Sequence, residues 1–126
     1  MSILLAMSCI CLTGCEKEET VAPTSNKVTT GKVIGITKHS AVLAGRVNVD
    51  IKDYDSVRFG IMLSDNLQDM NSRKGDMVWS YILIGSNYTV ELDNLMGSTK
   101  YYYCAFVLLN GIQYEFGAIK DFTTQE

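Results

Sequence analysis

From Lys27 onward, apolar residues recur at every second position in short runs separated by turn-forming residues. A period of two places alternate side chains on opposite faces of an extended chain, so each run reads as a half-buried strand. Asp55–Ser64, DSVRFGIMLS, shows this best, with Val57, Phe59, Ile61 and Leu63 in phase. No stretch of helix length carries a 3.6-residue period. The chain is therefore confined to all-β architectures.

Seven strands are predicted. They are Gly31–Thr37, Ser40–Val49, Asp55–Ser64, Met77–Ile84, Asn87–Leu92, Lys100–Leu109 and Ile112–Thr123. In the second, Ala41, Leu43, Gly45 and Val47 share one face, and Val42, Ala44 and Arg46 the other. The last is entered through Asn110-Gly111, a pair that favours positive φ and a tight hairpin. Seven short strands at this spacing predict a β-sandwich. A chain of 126 residues suits one such domain. The net charge of −3 and the singly scattered basic residues exclude nucleic acid, which requires a basic patch.

The first fourteen residues carry no charge and include an apolar run too short to span a bilayer. Such a run fits the core of a secretory signal. The expected basic start is missing from MSILLAM, which fits a translation start further upstream. The run ends at Leu12-Thr13-Gly14-Cys15, which resembles the lipobox of bacterial lipoproteins: an aliphatic residue, two small residues and a cysteine. The resemblance implies cleavage before Cys15 and acylation of its thiol. Lys17-Glu18-Glu19 follows at once and resembles the surface-export signal of Bacteroidetes lipoproteins, although a merely solvated tether explains the same charges. The expected organisation is a signal peptide over residues 1–14, a lipidated, flexible tether over 15–27, and a β-sandwich over 28–126. Lipid anchoring in the outer membrane, facing outward, is the expected location. Cys9 and Cys11 would leave with the signal, and a modified Cys15 leaves Cys104 without a disulfide partner.

The segment VELDNLMGSTKYYYCAFVLLNGIQYEFGAIKDFTT resembles the end of a fibronectin type III-like, immunoglobulin-like domain of the kind carried by Bacteroidetes surface lipoproteins. Leu95, Thr99 and Tyr101 match the turn and tyrosine corner. Tyr103, Ala105 and Val107 continue the strand. Gly111, Tyr114, Gly117, Phe122, Thr123 and Thr124 match the ending. VTTGKVIGITKHSAVLAGRV fits the opening strands, so the resemblance covers about Val28 to Thr124. Met96-Gly97 departs from it where proline is common, as does Cys104 where a polar residue is common. The resemblance gives Tyr101 a structural role, its ring buried and its hydroxyl bonded back to the preceding corner.

Chemistry-bearing constellations are sparse. His39 is the only histidine, and no cysteine pair accompanies it, so no metal site is expected. No nucleophile elbow, phosphate loop or zinc-protease motif occurs. Asn48, Asp50, Asp53 and Asp55 crowd one loop but lack the central glycine and distal glutamate of a calcium loop. The expectation is a non-catalytic protein that needs no cofactor.

Recognition has three candidate locations. The polar connection from Ser64 to Asp76 offers Asp65, Asn66, Asp69, Asn71 and Arg73 for hydrogen bonding, with a plain surface loop as the simpler reading. Trp79 and Tyr81 alternate on the fourth strand, where either face could be inside. Tyr102, Cys104, Phe106 and Leu108 lie opposite the inward set of the sixth strand and need a partner or a covering segment. The expected function is a surface module that binds a glycan or an envelope protein. The alternatives are an accessory subunit docked through the Phe106 face, and a small enzyme or enzyme inhibitor working through the Ser64–Asp76 loop.

Overall fold

Eight strands and two short helical turns carry the alternation in the computed structural model, which describes residues 23–126. The strands are β1 (Val28–Ile36), β2 (Ala41–Val47), β3 (Val57–Ser64), β4 (Asp76–Ser80), β5 (Asn87–Leu92), β6 (Lys100–Leu109), β7 (Gln113–Phe116) and β8 (Lys120–Thr123). β1, β2 and β5 form one antiparallel sheet in the order β1-β2-β5. The other runs β4-β3-β6-β7, with β8 also paired to β6. The chain is an all-β sandwich, as its alternation predicts.

The principal core lies between the sheets. Ala41, Leu43 and Val47 of β2 face Phe59, Ile61 and Leu63 of β3, with Tyr103, Ala105, Val107 and Leu109 of β6 beside them. Each large apolar side chain buried there contributes about 1.5–3 kcal/mol. The phase of β2 and β3 that the sequence predicts is the one observed.

The first strand begins at Val28 rather than Gly31, and two others differ more. The seventh is two, because Phe116 opposes Phe106 whereas Lys120 opposes Tyr103. Gly117, Ala118 and Ile119 thus face only Cys104 and Ala105, which is a β-bulge. Thr30 of the opposite sheet fills the gap. Its hydroxyl donates to Ala118 O at 2.5 Å and accepts from Ala105 N–H at 3.0 Å. A Cβ on Gly117 would stand 2.7 Å from Thr30 Oγ1, so only glycine fits. The fourth strand ends at Ser80 rather than Ile84. There the chain crosses to the other sheet, and Ile84 and Asn87 bond to each other in a tight turn.

The connection after β3 contains a five-residue helix, α1 (Leu67–Asn71), where the alternation suggests only loop. Asn66 caps it by accepting from Gln68 N–H at 2.9 Å. Met70 is fully buried. The helix is too short to show a period, and one buried methionine holds it down.

Candidate functional site

Met70 belongs to a second apolar cluster on the outer face of the β4-β3-β6-β7 sheet. It packs with Met62, Cys104 and Phe106, bordered by Met77, Trp79, Tyr102, Phe116 and Ile119. Trp79 meets Phe106 edge-on, with ring centroids 4.9 Å apart and planes at 82°. The face that needs a partner or a covering segment has a covering segment within the chain. Phe106 is fully buried, and the cover comes from the chain's own α1, β4 and β7. Cys104 is fully buried beside it, and Tyr102 is half-buried with Lys100 Nζ 5.5 Å above its ring. An accessory-subunit interface centred on Phe106 loses its basis.

The Ser64–Asp76 residues also serve the fold. Asn66 is the helix cap. Arg73 lies over the Phe116 ring at 4.2 Å, donates to Pro23 O at 2.6 Å, and points a second nitrogen at Cys104 Sγ, 3.7 Å away. It closes the outer cluster and clamps the beginning of the described chain, a role that cation–π geometry suits. Asp65 is exposed, and Asp69 and Asn71 are half-buried. Asn71 and Arg73 line one hollow of about 350 Å³ with Pro23, Tyr114 and Phe116, and Asp65, Asn66 and Asp69 are not among its lining.

Burial outweighs the neighbouring Arg73 charge at Cys104 and pushes the thiol up to about 11 from the usual 9.0. Burial also raises the Tyr88 phenol, whose hydroxyl donates to Gly60 O at 2.7 Å inside the sandwich. A folded-state pKa above the unfolded one stabilises the fold fully below the unfolded value and is lost as pH rises through the folded value. For Cys104 the window runs from about pH 9 to pH 11. We expect the melting temperature to fall across that window, with Tyr88 adding to the loss above pH 10. Thermal melts of the protein and of Cys104→Ala from pH 7 upward check this, and the variant should lose less between pH 9 and 11.

Tyr101 is buried, its ring stacked on Phe122 at 5.6 Å, and its hydroxyl accepts from Met96 N–H at 2.9 Å. His39 Nδ1 lies 2.8 Å from Leu95 O at the same corner. In the acidic loop, Asp50 accepts from Lys52 N–H, and Asn48 bonds Asn26 O and Thr29 Oγ1. Among the described residues, no group of three or more His, Cys, Asp or Glu side chains could hold a metal. Cys15, Lys17, Glu18 and Glu19 lie outside the described residues.

The remaining candidates come together at one place. β4 and β5 are the open edges of their sheets on the same side of the sandwich. A groove of about 460 Å³ lies between them, walled by Val78, Trp79, Tyr88 and Val90, with Tyr81 and Glu91 at its margin. Tyr81 is 78% exposed, and Ile82 and Ile84 extend the apolar surface. Trp79 is half-buried beneath Arg58, whose guanidinium carbon stands 4.3 Å from the ring centroid. Trp79 and Tyr81 do not alternate on one strand as expected, since β4 ends between them. Ser80 closes part of the groove by donating its hydroxyl to Thr89 O at 3.0 Å. The sequence puts Ile82 and Ile84 on the face of the fourth strand opposite Trp79 and Tyr81, whereas the structure puts both beyond the strand's end at Ser80.

No family model and no curated protein matches the chain. Solved structures do. The sensor domain of the anti-sigma factor RsgI4 from Pseudobacteroides cellulosolvens is 16% identical with a TM-score of 0.55, over 84% of this chain and 98% of that one. The fibronectin type III domain of the human KIAA0970 protein is 16% identical at a TM-score of 0.53, over 79% of this chain and 74% of that one. The fibronectin type III domain of human fibronectin type III domain containing protein 3 is 12% identical at a TM-score of 0.55, over 84% and 91%. At these identities the likeness is one of fold. The described chain is a fibronectin type III-like β-sandwich.

Proposed function

We propose that this protein is a non-catalytic recognition module, lipid-anchored through Cys15 at the outside of an outer membrane, that binds an extended segment of a partner protein in the groove between β4 and β5. The exposed Tyr81 at the margin of that groove carries the reading. A rigid amphipathic ring beside an apolar cleft is a common anchor for a partner. The two open strand edges add backbone donors and acceptors that an extended peptide can pair with. The structural neighbours, a sensor domain and fibronectin type III domains, support recognition over catalysis. Asn87, Thr89 and Glu91 line the groove too, but Val78, Trp79, Ile82, Ile84 and Val90 make much of its wall apolar, which favours the apolar side chains of a protein segment over a sugar. Ser80 is already engaged with Thr89.

A photo-crosslinking residue in place of Tyr81, in the full lipidated protein in its native envelope, tests this. One discrete protein adduct is expected, absent when the same residue replaces Met96 at a distant corner. Equal labelling at both positions would overturn the groove. Binding to a glycan array that Tyr81→Ala abolishes, with no protein adduct, would replace the protein partner with a sugar.

A further inference from the structure

An open strand edge is a template for another strand, and folded proteins protect theirs. Most edges of this sandwich are protected. β1 breaks its register with β2 twice, between Thr30 and Val33 and between Val33 and Gly35, and Lys32 stands in the first break. β7 and β8 share the far edge of the other sheet, and each has only four residues. Ser25 N–H donates to Phe116 O at 2.7 Å and covers part of β7. β5 is partly closed by the chain that leads into it. Ile84 and Asn87 exchange two backbone bonds, of 2.8 and 3.1 Å, and the Ser80 hydroxyl donates to Thr89 O. β4 has none of these devices. Its register against β3 runs unbroken from Asp76 opposite Leu63 to Ser80 opposite Phe59. It contains no proline or lysine, and its one charge, Asp76, stands at its end. Among the described residues, no backbone bond joins it to anything but β3.

The five residues of β4, DMVWS, are complementary to themselves. In an antiparallel pair about a two-fold axis at Val78, that valine meets Val78 of a second copy. Met77 meets Trp79 on both sides of the axis, and Asp76 meets Ser80. No like charges oppose each other, and two thioether–aromatic pairs form across the strands. The register holds whichever residues turn their backbone groups outward, because an antiparallel two-fold can fall on either kind of residue pair. We infer that the occupant of the groove is a second copy of this chain, joined β4 to β4 in a closed two-fold dimer with one continuous sheet. The inference rests on the groove reading above and names its partner. Met77 and Trp79 are half-buried at the border of the outer apolar cluster, so the pairing continues that cluster across the axis. Stable interfaces commonly bury about 1,200–2,000 Å² in total, more than a five-residue ladder covers. Tyr81, Ile82 and Ile84, exposed by 78%, 70% and 78% just past the strand, supply the further apolar area.

Cysteine variants of the full chain test the register. Asp76→Cys and Ser80→Cys should each stay unlinked alone under mild oxidation, and should form a disulfide-linked dimer when the two are mixed, because 76 and 80 oppose each other only across the axis. Val78→Cys should link to itself. Cys104 is buried and does not compete, and the unaltered chain, oxidised in parallel, sets the background from its other cysteines. Sedimentation equilibrium of the unaltered full chain in a density-matched detergent should give a dimer. Asp76→Cys linking to itself as readily as to Ser80→Cys would mean unregistered collision and overturns the pairing. A monomer without the mixed link, beside a Tyr81 crosslink to a different protein, overturns the second copy and leaves the groove reading standing. A monomer without the mixed link and without any Tyr81 adduct overturns both.

Discussion

Phe106→Ala is expected to destabilise the protein by about 3–5 kcal/mol, the range for truncating a buried phenylalanine. The ring is fully buried, and its removal leaves Trp79 without its edge-on partner and Met70, Met62 and Cys104 around a void. Urea unfolding followed by the fluorescence of the single tryptophan, Trp79, reads the effect directly, because the reporter sits at the lesion. The result bears on function as well as stability. An exposed docking anchor at this position could be truncated with little change in folding and a loss of binding. A loss below about 1 kcal/mol would show that the outer cluster does not close over Phe106.

Thr30→Val is the second large effect, about 1–3 kcal/mol, from a change that hardly alters volume. The Thr30 hydroxyl serves two backbone groups of the other sheet, Ala105 N–H and Ala118 O. Valine leaves both without it; the Ala105 N–H is buried and its orphaning costs roughly 1–3 kcal/mol, whereas Ala118 is exposed and its carbonyl can turn to water. Thr30→Ser keeps the hydroxyl and should retain most of the stability. Hydrogen exchange at Ala105 gives the local reading: the valine variant should lose protection there before β3 does. Equal unfolding midpoints for the valine and serine variants would remove the hydroxyl from the account.

These two positions also mark where the sequence is legible and where it is not. Val57, Phe59, Ile61 and Leu63 show their burial through their own period, because one strand's inward face is a local property. The Asn110-Gly111 turn is legible for the same reason: its dihedral angles depend on two residues. The bulge at Gly117–Ile119 is not, since it is set by Thr30, 88 positions away for the Ala118 contact. The Phe106 face shows as apolar in the sequence, but its cover does not. That cover is one methionine on a five-residue helix, an arginine over Phe116 and a tryptophan on an edge strand. No period links them. At the candidate site, Tyr81 was legible as an aromatic on the fourth strand but its exposure was not, because the groove exists only where β4 stops at Ser80 and the chain changes sheets.

The clamp at Pro23 has a mechanical consequence. A partner held in the groove and an anchor on Cys15 would pull on opposite ends of one load path. Tension entering through the N-terminal side meets the Arg73–Pro23 and Ser25–Phe116 bonds before it reaches the ladder joining β1 to β2. On the proposed anchoring, those two bonds would act as a breakaway link. Under force they would yield first and lengthen the tether while the sandwich and its groove stay intact.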